Sequence, residues 1–296
     1  MARLSQNATR GATKRNRSKN GPIAPQHKQQ TQSRIMKNQR KRKEQDSRAC
    51  MIKPALVVLA LLVTAVSPAR AAAGERDGRN LVLAPESRPY GESYREWATN
   101  LWRRILSLPV DAASESAPLS DGQSGEVWLL GGPLGGEPTS TFELSVPEGT
   151  ALFLSVLSTW LDNAGCPFTD FTVHELRAHE AAWWREVSET TCTVDGVTIP
   201  GLTDPQNSPY LVHSKVFSYT LPQNDNYLSV LFGDTCIAGG TTIGPAVAEG
   251  VFLMLKPLPV GQHVIRTTGV VGRGVSPAFV SEITYLIAVG EPAAGD

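Results

Sequence analysis

The stretch from Thr172 to Val187, TVHELRAHEAAWWREV, places two histidines and a glutamate on a helical pattern. It approaches the zinc-protease signature H-E-x-x-H, in which histidines four apart converge on one ion. Here His174 and His179 are five apart. Five residues turn an α-helix through about 500°, so the two rings diverge by about 140°. They cannot hold one ion, and no metal or cofactor is expected. Val173, Leu176, Ala181, Trp184 and Val187 form the expected buried side.

Other reactive patterns are no stronger. The chain has no G-x-S-x-G nucleophile elbow. The glycines of GGPLGGE (Gly131, Gly132, Gly135 and Gly136) lack the lysine and hydroxyl residue of a phosphate loop, and are expected to shape a loop between strands. Glu126, Asp225, Asp234, Glu249, His213 and His263 all fall in strand-rich sequence, but their spacing does not bring them together. His263 follows a turn and opens a strand, which fits a hydrogen-bonded structural histidine better than a ligand. For a binding surface, Trp128, Trp160 and Tyr227 are the aromatic candidates because they lie outside the helix stripes. His213 and Asp225 are the polar candidates.

The elements that must position these residues are mostly strands. GESYREWATNLWRRILSLP repeats Tyr94, Trp97, Leu101, Ile105 and Leu108 at three- and four-residue steps, which predicts an amphipathic helix stopped by Pro109. In TSTFELSV, Phe142, Leu144 and Val146 alternate with polar residues, as in a half-buried strand. The P-x-G sequences at Pro147–Gly149 and Pro259–Gly261 read as hairpin turns. VFLML, Val251 to Leu255, is continuously apolar, as in a strand covered on both faces. AFVSEITYLIAV, YLVHSKVFSYTLP and NYLSVLFG read as further strands. About nine short strands with turn residues between them predict a mainly β protein, an antiparallel β-sandwich or jelly roll with two peripheral helices.

The charge is unevenly spread. Residues 1–50 carry 14 Lys or Arg against Glu44 and Asp46, a balance of +12, and the other 246 residues carry −12. Between the two lies MIKPALVVLALLVTAVSPARAAAG, with Lys53, an apolar run from Ala55 to Val66 and small residues in an A-x-A arrangement. This predicts a signal peptide over 51–73. The apolar run is too short for a membrane span, which needs about 20 residues. Residues 1–50 are too polar to bury a core. They read as a nucleic-acid-binding arm, an unusually long basic leader or sequence upstream of a true start at Met51. The last fits best, because a nucleic-acid arm has no role on an exported chain. Residues 74–296 are then expected to be a single secreted β-rich domain, with a helical excursion at about 166–192 and no later membrane span. Its acidic charge argues against nucleic acid or anionic lipid as partner.

Export leaves Cys166, Cys192 and Cys236 in an oxidising compartment. Cys166 and Cys192 bracket the second helix, so they are the expected disulfide, worth about 3–4 kcal/mol in the chain-entropy model. Cys236 would be a free thiol.

PYGESYREWATNLWRRILSLP, GQSGEVWLLGG, VPEGTALFL, YTLPQNDNYL and AVAEGVFLMLKPLPVGQHVIRTTG, followed by ITYLIAV, occur in that order. Together they resemble a family of exported bacterial β-rich proteins of about this length. The resemblance covers Pro89 to Val289 and implies a secreted β-rich domain, with no established activity to transfer. Where members carry a cysteine before G-Q-x-G this chain reads PLSDGQSG, so neither a disulfide pairing nor a site residue carries over. The expected function is a secreted, non-enzymatic domain binding an extracellular or surface ligand such as a glycan. The alternatives are a carboxylate- or His213-dependent hydrolase or lyase, and a structural surface or assembly protein. Ligand and oligomeric state are not legible.

Overall fold

The computed structural model describes residues 77–111, 122–134, 138–165, 168–233, 236–272 and 279–290. The segments read as basic leader and signal peptide lie outside the described residues. The fold is mainly β, with eleven strands in two sheets and three α-helices among the described residues.

The first sheet is organised by the long strand β9 (Thr242–Leu255). One side of β9 pairs with β4 (Ala151–Asp162), which in turn pairs with β2 (Val127–Leu130). Its other side carries three short strands end to end: β8 (Phe217–Thr220), β7 (Leu211–His213) and β1 (Val82–Leu83). The second sheet runs in the order β3 (Thr139–Val146), β11 (Phe279–Val289), β10 (Gly261–Val271), β5 (Val187–Val194), β6 (Val197–Thr198).

The pairing is mixed rather than wholly antiparallel. β2 runs parallel to β4, and β3 runs parallel to β11. The cause lies in the two P-x-G turns, which are not hairpins. Each carries the chain from one sheet to the other: β3 to β4 at Pro147–Gly149, and β9 to β10 at Pro259–Gly261. The first is a tight turn closed by Thr150 N–H on the Pro147 carbonyl, with Gly149 at φ 80°. Because β3 belongs to the second sheet, β4 returns to the first in the direction of β2.

Two apolar cores follow. One draws Leu152, Leu154 and Leu253 from the first sheet, and Val187, Ile265 and Tyr285 from the second. The other covers the opposite face of the first sheet, where Phe153, Phe252 and Met254 meet Leu101 and Ile105 of α1 (Tyr94–Ser107). With a core on each face from Ala246 to Leu255, that part of β9 has no solvent side, and its continuous apolar run follows.

Three local expectations are corrected. NYLSVLFG forms α3 (Tyr227–Phe232) instead of a strand. The Asn226 side chain accepts from Ser229 N–H, and Gly233 ends the helix at φ 63°, so capping outweighs β propensity. The helical excursion is shorter than expected. α2 spans Val173–Trp184, and β5 takes over from Val187. On α2 the buried stripe is Leu176, Glu180 and Trp184, while Val173 is exposed and Ala181 half-buried.

Candidate functional site

α2 lies across β9 and β4, over a row of three side chains. Register pairs Thr159 of β4 with Glu249 of β9, and Glu249 with His213 of β7. Directly paired residues share a face. A bulge in β4 between Ser155 and Leu157 resets the alternation and brings Thr159 into this row.

Two glutamates are buried here, Glu249 at 3% exposure and Glu180 at 1%. Thr159 Oγ1 donates to Glu180 Oε2 at 2.6 Å. Glu249 Oε2 lies 3.2 Å from His213 Nδ1, and the His213 side chain is 54% exposed. This contact is at ion-pair distance but is not aimed as a hydrogen bond, so Oε2 is a fully buried oxygen without one. Such an oxygen is costly to bury, and contacts of this kind at working sites often tighten only when a ligand arrives.

Arg177 of α2 donates to the Ala248 carbonyl at 3.2 Å and also to the Ser214 carbonyl. Burial, then the nearby Arg95, lowers its pKa from the ordinary guanidinium value, and Glu180 and Glu249 act against that. Ser214 is wholly internal: its hydroxyl donates to the Lys215 carbonyl and accepts from Ala248 N–H. Lys215 reaches α1 through Glu96, at 2.6 Å. The segment His213–Lys215 is thus held from β9, α1 and α2, with the His213 ring left at the surface.

An open groove lies beside Val216, and His213 is not part of its lining. Its lining includes Arg103, Phe217, Ser218, Thr242 and Gly244. It adjoins a second groove along Tyr219, Thr220, Gln223 and Gly240, and Arg103 borders both.

The sequence candidates separate clearly. His213 and Glu249 meet. Asp225 is an exposed turn residue with φ 52°, its carbonyl accepting from Val110 N–H, and no hydrogen bond or ion pair joins it to His213. Trp128 is buried between the sheets. Tyr227 is 3% exposed, and Trp160 is half-buried against Trp102, with centroids 4.8 Å apart. Trp160 and Tyr227 instead serve a buried knot around Asp162. Asp162 Oδ2 accepts from Trp160 Nε1 (2.9 Å), Tyr219 OH (2.8 Å) and Tyr227 OH (3.2 Å), and Oδ1 accepts from Ala164 N–H (2.9 Å). Burial first, then the Asp162 charge, pushes both phenols above the ordinary tyrosine value.

The near-metalloprotease helix also resolves. Glu175 Oε2 accepts from the backbone N–H and hydroxyl of Thr172, forming a capping box, and these bonds lower its pKa. His174 is exposed and His179 packs edge-on to Phe171. Among the described residues no three His, Cys, Asp or Glu side chains gather as a metal site would require.

Cys192 is a free thiol inside β5, fully buried, where burial raises its pKa to about 12. The expected Cys166–Cys192 bridge is therefore corrected at Cys192, which faces the core between the sheets; Cys166 lies outside the described residues.

Sequence reasoning missed Glu180, Arg177, Asp162 and Tyr219. Only Glu180 left a signal: it lies four residues from both Leu176 and Trp184, a charge on an apolar stripe. No helix among the described residues is long and apolar enough to cross a membrane. No protein-family model, no curated protein and no solved structure matches this chain.

Proposed function

We propose that the chain is an exported protein whose domain binds an extended, hydroxyl-rich ligand such as a glycan, with His213 as the contact point. The observation that carries this reading is His213 itself, an exposed imidazole backed by a buried carboxylate. With Nδ1 turned to Glu249, a neutral ring presents the Nε2 lone pair outward, where it accepts a hydrogen bond from a ligand hydroxyl. The grooves are open surface, which suits a polymer laid along them.

The test is binding of purified exported protein to bacterial surface polysaccharides. His213→Ala is expected to weaken binding at least about tenfold, the worth of a hydrogen bond to a charged or polarised group. Glu249→Leu is expected to fold at least as stably, since an apolar side chain replaces a buried charge, and to lose binding with it. Unchanged affinity in both variants would remove the proposal.

A second reading rests on the 3.2 Å contact between His213 and Glu249. A carboxylate beside Nδ1 favours the tautomer with its proton there, which leaves Nε2 able to take a proton from water, as in acid–base hydrolysis. Turnover of p-nitrophenyl esters or glycosides, absent in His213→Ala, would favour it over simple binding.

Export also supplies the oxidising setting for a disulfide, and we place one end of it at Cys236 rather than Cys192. Once the signal peptide is removed, Cys166 is the cysteine left to partner it.

A further inference from the structure

The domain holds a second histidine–carboxylate pair, and its geometry is different. His263 opens β10, directly after the corner at Pro259–Gly261. Its Nδ1 lies 2.7 Å from Asp195 Oδ2, and its Nε2 lies 2.7 Å from the Pro259 carbonyl. Both ring nitrogens face acceptors. A neutral imidazole has one N–H and one lone pair, so it satisfies one of these contacts and opposes the other. Only the imidazolium donates to both.

Asp195 sits in the turn between β5 and β6 with φ 50°, and its Oδ1 also accepts from Val264 N–H at 2.9 Å. One carboxylate therefore ties the β5–β6 turn to the start of β10, while the ring ties β10 back to the corner. The N-terminal segment packs on the same place. A Cβ on Gly78 would fall 2.1 Å from the Thr198 carbonyl oxygen, so Gly78 lies against the end of β6. Lys256 N–H donates to the Leu81 carbonyl just after β9.

We propose that the His263–Asp195 pair is a pH-sensitive clasp, closed when the ring is protonated and opened on alkalinisation. Opening gives up one of the ring's two contacts and so loosens the tie between the start of β10, the β5–β6 turn and the β9–β10 corner. Asp195 is the charged group that faces the ring, and the Pro259 carbonyl is the other partner. Burial draws the His263 pKa down, but the Asp195 hydrogen bond, the Pro259 carbonyl and the Asp195 charge together raise it above 6.5. A raised histidine stabilises fully below the unfolded value and loses its contribution as pH rises through the folded one. The clasp thus opens above pH 6.5. An exported protein meets such changes directly, because the medium outside the cytoplasm is not buffered for it.

The test is an NMR titration of the exported protein, following the His263 ring and the amides of Asp195, Val197 and Val264. Wild type is expected to show the ring titrating above 6.5, with these amides moving at the same midpoint and exchanging faster above it. Asp195→Asn keeps an acceptor for Val264 N–H and a residue type that tolerates positive φ, and is expected to lower the midpoint. His263→Gln is expected to abolish the pH dependence of the three amides. A ring that titrates at or below 6.5 in wild type, amides that ignore its titration, or a midpoint unmoved in Asp195→Asn would each overturn the clasp.

Discussion

Removal of Asp162 tests whether the knot beneath Trp160 is structural. Four donors converge on this carboxylate, from β4 itself, the loop after it, β8 and α3. In Asp162→Ala the hydroxyls of Tyr219 and Tyr227, already bonded to each other, satisfy one of their two protons. Three donors then lack an acceptor: one phenol, the Trp160 indole and Ala164 N–H. Each buried orphan costs about 1–3 kcal/mol. Trp160 is half-buried and reaches water in part, so the lower part of that range applies and the expected loss is about 3–6 kcal/mol. That is a large share of the roughly 5–15 kcal/mol that holds a domain together. Asp162→Asn keeps one accepting oxygen and is expected to lose about 1–2 kcal/mol. Urea unfolding followed by tryptophan fluorescence gives both values. If Asp162→Ala costs under about 1 kcal/mol, the network is not what joins α3 and β8 to the sheet.

Two further outcomes are expected. In non-reducing peptide mapping of the protein, Cys236 should appear in a linked peptide and Cys192 in an unlinked one, with Cys192 alkylated only after unfolding because burial holds it as a thiol to about pH 12. A Cys192–Cys236 peptide would contradict the packing of β5. Glu96 joins α1 to Lys215 and caps the helix through Ser93, bonds that lower its pKa to about 2. A depressed carboxylate stabilises above its unfolded value and loses that contribution as pH falls through the folded one, so acid unfolding should begin below pH 4.5 and be flatter in Glu96→Gln.

Much of the β architecture is local in origin and therefore legible. The uninterrupted VFLML run announces burial on two faces, and Phe142, Leu144 and Val146 announce a strand by their alternation. What local chemistry cannot choose is the partner. Pro147 and Gly149 specify a reversal equally well for a hairpin and for a crossing between sheets. The choice was made by β11, which lies more than 130 residues on and pairs with β3. α3 was misread although its signals were local: Asn226 before the helix and Gly233 after it outweigh the β-branched and aromatic residues between them. The site was less legible still. His213 and Glu249 are 36 residues apart and meet through the register of a three-residue strand. Arg177 and Glu180 join them only because α2 folds back over β9.

The two histidines show how burial divides one chemistry into two roles. His263 is 10% exposed, with each nitrogen spent on an acceptor, so a ligand would have to break the corner to reach it. His213 has the deeper carboxylate but the freer ring. Glu249 is held at a depth where water cannot satisfy it, while the imidazole beside it stays more than half exposed. A leucine at position 249 would continue the apolar run of β9 without that penalty. A buried carboxylate whose partner stands in solvent does little for stability, so its physical effect is to polarise the outer ring. Ligand contact is the use we propose for such an arrangement.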